Sequence, residues 1–169
     1  MLRERGEFAE SKDLIDEVVK ARRMFYGPRH PSTLTAESEQ LLCALANEEL
    51  SSAEEIASRL IVEREDVTGP ASPDSLTARY NAALVASALG NSRSAADRLE
   101  VLAGSQDRIL GTSHPETIRT RLQLAIQLTR CGEAVRAAAL AESLLRACEA
   151  QFGTEHPDTR RARALNPKD

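Results

Sequence analysis

The segment of residues 111–118 reads GTSHPETI, and three related segments are found elsewhere in the chain. They read GPRHPSTL at 27–34, GPASPDSL at 69–76 and GTEHPDTR at 153–160. Their first glycines, at positions 27, 69, 111 and 153, follow one another at a constant spacing of 42 residues. A fixed period of this length is the signature of a repeat architecture, in which each repeat buries its apolar face only by stacking on its neighbours.

Each 42-residue unit divides into two helical halves. The first half has a proline at a position where the fixed φ of proline suits the start of a helix. These prolines are Pro31, Pro73, Pro115 and Pro157. The second half follows a glycine 21 residues after the first one, at Gly90 and Gly132, with Gly6 at the same spacing before Gly27 and Glu48 as the exception. Apolar residues recur at helical spacing in both halves, and no window alternates as a strand does. We name the two predicted helices the first-type and the second-type helix.

The repeat pattern has a familiar counterpart. G-x-x-H-P-x-T-L, then an Ala/Leu-rich helix, then glycine and a second helix with a small residue at a fixed phase, resembles the 42-residue tetratricopeptide repeat of the kinesin-light-chain type. The small residues at that phase are Ser11, Ala53, Ala95 and Ala137. The resemblance covers about residues 6–165 and implies an all-α fold, a right-handed superhelical solenoid of antiparallel helix pairs. Nineteen Arg against three Lys is consistent with a high-GC bacterial gene, so a bacterial source is expected.

The count of units predicts the organisation of the chain as a single repeat domain over residues 1–169. It divides into a lone half repeat at 7–26, repeats at 27–68, 69–110 and 111–152, and a partial capping helix at 153–166. The half repeat has no first-type helix before it, so one apolar face should be open. Either the chain is cut from a longer one whose upstream helix completes the pair, or the half repeat packs against another copy. Arg160 replaces the usual aliphatic residue in the capping helix and gives it a polar character.

Composition excludes several classes of function. The net charge of −4 repels phosphate backbones, and aromatic residues, at 3% of the chain, offer few rings for base stacking. Both features argue against nucleic-acid binding. No stretch approaches the roughly 18 apolar residues that would span a bilayer, and the N-terminus lacks the apolar segment of a signal peptide. We therefore expect a cytoplasmic protein whose partners are proteins or peptides, with no nucleic acid and no membrane.

Catalytic, cofactor and metal sites are not predicted. The histidines His30, His114 and His156 share one phase of the repeat, which indicates a structural role at the helix start. Like positions in stacked repeats lie about 10 Å apart, too far for two of them to share a metal ion. Cys43, Cys131 and Cys148 have irregular spacing and are interpreted as small buried hydrophobes. No nucleophile elbow or phosphate-binding loop is found, so an enzyme is not expected.

Transfer of the family's ligand-facing phases to the first-type helices predicts a peptide groove. Its residues are Thr35, Ser38, Leu42, Thr77, Tyr80, Asn81, Leu84, Arg119, Leu122, Gln123, Ile126 and Arg130. This set is apolar in the middle with amides and cations around it, which suits an amphipathic or extended peptide. Tyr80 is predicted to be the aromatic ring placed to meet a partner.

The resemblance therefore implies a non-catalytic protein–protein interaction module that binds a peptide segment or a partner domain in its concave groove. The alternative is a structural or oligomerisation arm of a larger signalling regulator, which would self-associate through residues 7–26.

Overall fold

The computed structural model describes the backbone of residues 2–165 and the side chains of residues 11–165. Within this part of the chain there are eight helices and no strand, which confirms the predicted all-α class. The second-type helices are α1 (Leu2–Tyr26), α3 (Leu50–Thr68), α5 (Ser92–Ile109) and α7 (Ala134–Phe152). The first-type helices are α2 (Pro31–Ala46), α4 (Pro73–Ala88), α6 (Pro115–Arg130) and α8 (Pro157–Ala164).

The helices fall into two compact units of four, with unit 1 at Met1–Leu89 and unit 2 at Gly90–Asp169. In unit 1, α1 packs on α2, α2 on α3 and α3 on α4, and in unit 2 the same succession runs from α5 to α8. Because the connections within each unit are short, successive helices of one unit are antiparallel. The division falls inside the predicted repeat at 69–110, between its two helices.

The first-type helices all begin at the repeated proline. The residue before it has an extended backbone and caps the helix with its side chain, as in α2, where Nδ1 of His30 accepts from the backbone N–H of Ser32. Before α2 and α8 the threonine of the motif closes the preceding loop, since the Thr33 hydroxyl donates to the Gly27 carbonyl at 2.8 Å and the Thr159 hydroxyl to the Gly153 carbonyl at 2.7 Å. The motif is therefore a loop that ends in a capped helix start.

The turns between the two helices of a repeat use a left-handed backbone. Gly90 and Gly132 both have φ of 79°, and Glu48 occupies the same slot with φ of 59°. A side chain in this conformation costs about 1–2 kcal/mol, so the turn at Glu48 is strained where the other two are not. At Gly6, by contrast, the backbone stays helical, and α1 begins at Leu2 instead of residue 7. A glycine inside a helix weakens it by about 1 kcal/mol but does not end it.

Each unit has an aliphatic core between its helices. In unit 1 the buried residues include Leu34 and Leu41 from α2, Ile56 and Leu60 from α3 and Val85 from α4. In unit 2, Ile118 and Leu122 from α6 form a cluster with Leu144 and Cys148 from α7 and Ala162 from α8. The buried residues of these two clusters are all non-aromatic, and the half-buried Phe152 packs against the second cluster from its edge.

Candidate protein-interaction surface

The predicted groove residues lie on the first-type helices α2, α4 and α6, but the structure exposes only some of them. Thr35, Leu42, Thr77, Arg119 and Arg130 are exposed, whereas Ser38, Leu84, Gln123 and Ile126 are half-buried. Leu42 is the most apolar of the exposed group, with 48% of its surface accessible. Thr35 and Leu42 are seven residues apart on α2, and Arg119 and Arg130 are eleven residues apart on α6, so each pair shares one face of its helix.

Three of the predicted groove residues are core residues instead. Tyr80 and Asn81 are each 8% exposed, and Leu122 is 4% exposed in the cluster with Ile118 and Leu144. The physical reason is the crowding of the first-type helices, since nine of the sixteen residues of α4 are buried. The expectation that the Tyr80 ring is presented to a partner is therefore corrected, because the ring fills space inside the fold.

The hydroxyl groups on this surface are already engaged as donors. The Thr35 hydroxyl donates to the Pro31 carbonyl and the Thr77 hydroxyl to the Pro73 carbonyl, both at 2.9 Å. These bonds to the carbonyl four residues earlier leave the oxygen lone pairs for an incoming donor. Both threonines can therefore accept a hydrogen bond from a ligand N–H in this conformation.

Ser38 holds a buried cation in place. Its hydroxyl donates to the Leu34 carbonyl at 2.9 Å and accepts from the Arg64 guanidinium at 3.3 Å. Arg64 comes from α3, is nearly fully buried and also pairs with Asp74 at the start of α4. Because a buried cation needs several acceptors, Ser38 is part of the support beneath the surface.

A second ionic cluster ties together the first three helices. Glu37 of α2 is fully buried, and its Oε1 accepts from Nε of Arg23 on α1 at 2.6 Å. Its Oε2 lies 3.4 Å from Nη2 of Arg59 on α3. The pKa of Glu63 is raised, mainly by burial and to a smaller extent by the nearby Glu37 carboxylate. Ionised Glu63 therefore slightly lowers the stability of the fold.

The pair between Arg23 and Glu37 belongs to a series with the 42-residue period. Equivalent ion pairs join Glu65 to Arg79, Asp107 to Arg121 and Glu149 to Arg163. Each pair links the end of a second-type helix to the first-type helix that follows. The first pair has the opposite polarity to the other three, so α1 is matched to α2 by charge.

The three histidines have the structural role that their phase predicts. Nδ1 of His30, His114 and His156 each accepts from the backbone N–H two residues later at 3.2 Å. His30 also stacks on Tyr26 and His156 on Phe152, with ring centroids 4.8 and 4.6 Å apart. Ser72 replaces histidine at this phase and accepts from the backbone N–H of Ser75 at 3.1 Å.

Replacing His114 by Ala is expected to destabilise unit 2 by about 1 kcal/mol, because the first turn of α6 loses its cap. His114 is the best of the three histidines for this test, because the residue four positions before it is Leu110. His30 and His156 have an aromatic residue there, so their replacement would also remove a ring contact. Urea unfolding followed by circular dichroism measures the loss. His114→Ser, which copies Ser72, should recover most of it, and equal losses in the two variants would instead assign the effect to the imidazole ring.

Reactive and metal-binding groups are not assembled in the described part of the chain. No group of three or more His, Cys, Asp or Glu residues could hold a metal ion there. Burial, with smaller contributions from Asp158 and Glu149, raises the pKa of the Cys148 thiol to about 11, so this thiol stays protonated at neutral pH. Cys43 and Cys131 are free and half-buried. No helix among the described residues has the length and apolarity needed to cross a bilayer.

Unit 1 contains a small polar cavity of about 160 Å³ between α1, α2 and the start of α3. The polar side chains that line it interact with one another. Nζ of Lys12 lies 2.6 Å from Oε1 of Glu49, and the Gln40 amide donates to the Asp16 carboxylate at 2.7 Å. The hydrogen bond to Glu49 raises the pKa of Lys12. These groups satisfy one another and leave little binding capacity for a ligand.

Comparison with known proteins supports the fold. The sequence model of the tetratricopeptide repeat family matches residues 1–32. No curated protein sequence matches the chain. Among solved structures, a putative kinesin light chain from Podosopora anserina with nearly identical TPR-like repeats aligns at 22% identity and a TM-score of 0.82, covering 96% of this chain and 77% of that one. A variant of the same protein aligns at 22% identity and a TM-score of 0.83, covering 96% of this chain and 76% of that one.

These findings define the class of the protein as an all-α helical repeat. More particularly, the chain carries the tetratricopeptide-like fold of kinesin-light-chain-type repeats, which confirms the resemblance drawn from the 42-residue period.

Proposed function

We propose that the chain is a non-catalytic protein–protein interaction module whose ligand contacts lie on the exposed faces of the first-type helices. In unit 1 this face combines the accessible Leu42 with the acceptor oxygens of Thr35 and Thr77. In unit 2 the helix α6 presents Arg119 and Arg130 beside the half-buried Ile126. Apolar contact area with hydrogen-bond acceptors in unit 1, and with cations in unit 2, suits in each unit a peptide that offers side chains and backbone groups together.

The observation that carries the proposal is the exposure of Leu42 on a helix whose other leucines are buried or half-buried. An exposed leucine alone is ordinary, but this one shares α2 with Thr35 and unit 1 with Thr77, and all three lie at phases that the family resemblance assigns to ligand contact. The fold also supports the proposal, because helical repeats generally act as interaction scaffolds.

Leu42→Arg is expected to weaken peptide binding by tenfold or more, since it places a charge in the apolar part of the surface; tenfold corresponds to about 1.4 kcal/mol. Peptides selected from a displayed random library on the purified chain serve as probes, and their affinities are measured by calorimetry. The matched control is Val62→Arg in the same unit, because Val62 is 59% exposed but lies on the second-type helix α3.

Equal losses in the two variants, or none in Leu42→Arg, would contradict the assignment of this surface. Circular dichroism of both variants shows whether the helices are retained. Val62→Arg should bind the selected peptides as the unmodified chain does.

A second candidate function is self-association through the N-terminal helix. It is favoured by the exposure of Leu14, Met24 and Phe25 on α1, which are all more than half accessible. Light scattering of the chain over a range of concentrations, with Phe25→Asp as the comparison, separates this candidate from the first. Only self-association through α1 predicts a mass that rises with concentration and falls in the variant.

A further inference from the structure

The helix α1 has an open face at positions that are buried in α3. Leu14 and Ile56 occupy the same phase of the repeat, yet Leu14 is 64% exposed and Ile56 is 6% exposed. Val18 is half-buried, whereas Leu60 at its phase is fully buried. The difference lies in the surroundings of these side chains, since all four are aliphatic.

The structure shows what covers this face elsewhere. In unit 1, α2 packs on α3 and its Leu34 and Leu41 belong to the same cluster as Ile56 and Leu60. In unit 2, α6 packs on α7 in the same way, with Ile118 and Leu122 clustered with Leu144. The face is completed in both units by a first-type helix.

Charge specifies further what kind of helix would cover this face. Between Leu34 and Leu41, α2 carries Glu37, which pairs with Arg59 on α3. The residue of α1 at the phase of Arg59 is Glu17, which is exposed beside Leu14. The sign is therefore reversed on α1, and a helix that covers it in the same register must carry a cation where α2 carries a carboxylate.

Helices with this pattern exist within the chain itself. The sequence of α4 has Arg79 three residues after Leu76, and that of α6 has Arg121 three residues after Ile118. The last first-type helix does not qualify, because α8 has Arg160 at the phase of Leu34. A second copy docking its α8 on α1 would place that guanidinium against the aliphatic face.

We infer that the open face of α1, formed by Leu14, Glu17 and Val18, binds an amphipathic helix of a partner protein that carries the pattern aliphatic-x-x-Arg-x-x-x-Ala/Leu. This site is separate from the ligand face of the first-type helices and takes a partner of different chemistry. The aliphatic residues fill the place of Leu34 and Leu41, and the arginine pairs with Glu17.

Two synthetic peptides with the sequences of this chain's own helices test the inference against the full chain. One has the sequence of residues 115–130 with Arg121, and the other that of residues 31–46 with Glu37 and with Cys43→Ser to prevent oxidation. Fluorescence anisotropy at about 50 mM salt, where charges are weakly screened, should show the first peptide binding at least about tenfold more tightly. Glu17→Arg should reverse this preference, and Leu14→Asp should abolish binding of both peptides.

Four results would overturn the inference. The first is that the unmodified chain and Glu17→Arg show the same preference between the two peptides. The second is that neither peptide binds the unmodified chain. The third is binding that survives Leu14→Asp, which would mean that the peptides replace helices of the fold. The fourth is self-association of the unmodified chain through α1 at the concentrations used, which light scattering detects and which would assign the face to a second copy. Since Leu14 is largely exposed, Leu14→Asp should fold normally.

Discussion

Arg23→Glu is expected to destabilise unit 1 by about 3 kcal/mol, because it sets a second carboxylate against the buried Glu37. Glu37 is fully enclosed and depends on Arg23 at 2.6 Å for its closest partner, whereas Arg59 lies farther away at 3.4 Å. A buried carboxylate that loses its hydrogen-bonded cation keeps the full cost of its desolvation. Urea unfolding followed by circular dichroism measures the loss.

The repeat provides a matched control for this change at the same phase in unit 2. Glu149 and Arg163 are 3.1 Å apart, with side chains 39% and 40% exposed. Arg163→Glu should therefore cost about 1 kcal/mol or less, as is usual for ion pairs in contact with solvent. Comparable losses in the two variants would show that burial of Glu37 is not what makes the first pair important.

Reversal of both partners is a further check. Combining Arg23→Glu with Glu37→Arg gives the polarity found in the other three pairs, and it should recover only part of the stability. The new cation at position 37 would face Arg59, which has no counterpart in unit 2, where Val101 and Ser143 occupy its phase. Full recovery would contradict a contribution from Arg59.

These ion pairs show what the sequence pattern can and cannot predict. The positions of the pairs have the same period of 42 as the glycines and prolines, so the repeat alone contained the signal. The first pair departs from this pattern, because its basic residue Arg23 lies at the phase of Glu65 and its acidic residue Glu37 at the phase of Arg79. A search for the same charge at each phase would therefore have found three of the four pairs, and the contacts of the folded helices add the first one.

The helix boundaries were predictable because they depend on local chemistry. Proline fixes φ at the first turn and the residue before it supplies the cap, so each first-type helix begins at the proline of the motif. Gly90 and Gly132 end the first halves because the chain needs a positive φ there. Gly6 has the same spacing but lies within α1, since spacing does not show which conformation a glycine adopts.

The candidate site was less predictable, because exposure is decided by neighbours. Leu42 and Leu122 both lie at phases that the repeat pattern assigns to a ligand, but one is exposed and the other is in the core. The same applies to Tyr80, whose ring looked available in an aromatic-poor sequence and is buried. A phase in the repeat defines a direction from the helix axis, whereas burial depends on the size of the residues packed around it.

The comparison of Ile56→Ala with Leu14→Ala tests this dependence on neighbours most directly. Ile56→Ala is expected to cost about 3 kcal/mol, because it removes methylene groups from a closed core and leaves a cavity between α2 and α3. Leu14→Ala, at the same phase of the repeat, should cost less than about 1 kcal/mol because most of that side chain is already in water. Urea unfolding of the two variants measures the difference.

The result also bears on the open face of α1. If a partner helix covers Leu14, saturating amounts of the peptide with the sequence of residues 115–130 should stabilise the unmodified chain but not Leu14→Ala, because ligand binding to the folded state adds to its stability. Ile56→Ala should keep that response, since its defect lies in the closed core of unit 1 and the open face of α1 is unchanged. Equal costs of the two substitutions without peptide would mean that Leu14 is already covered, and the open face would have to be assigned to an intramolecular or self-associated contact.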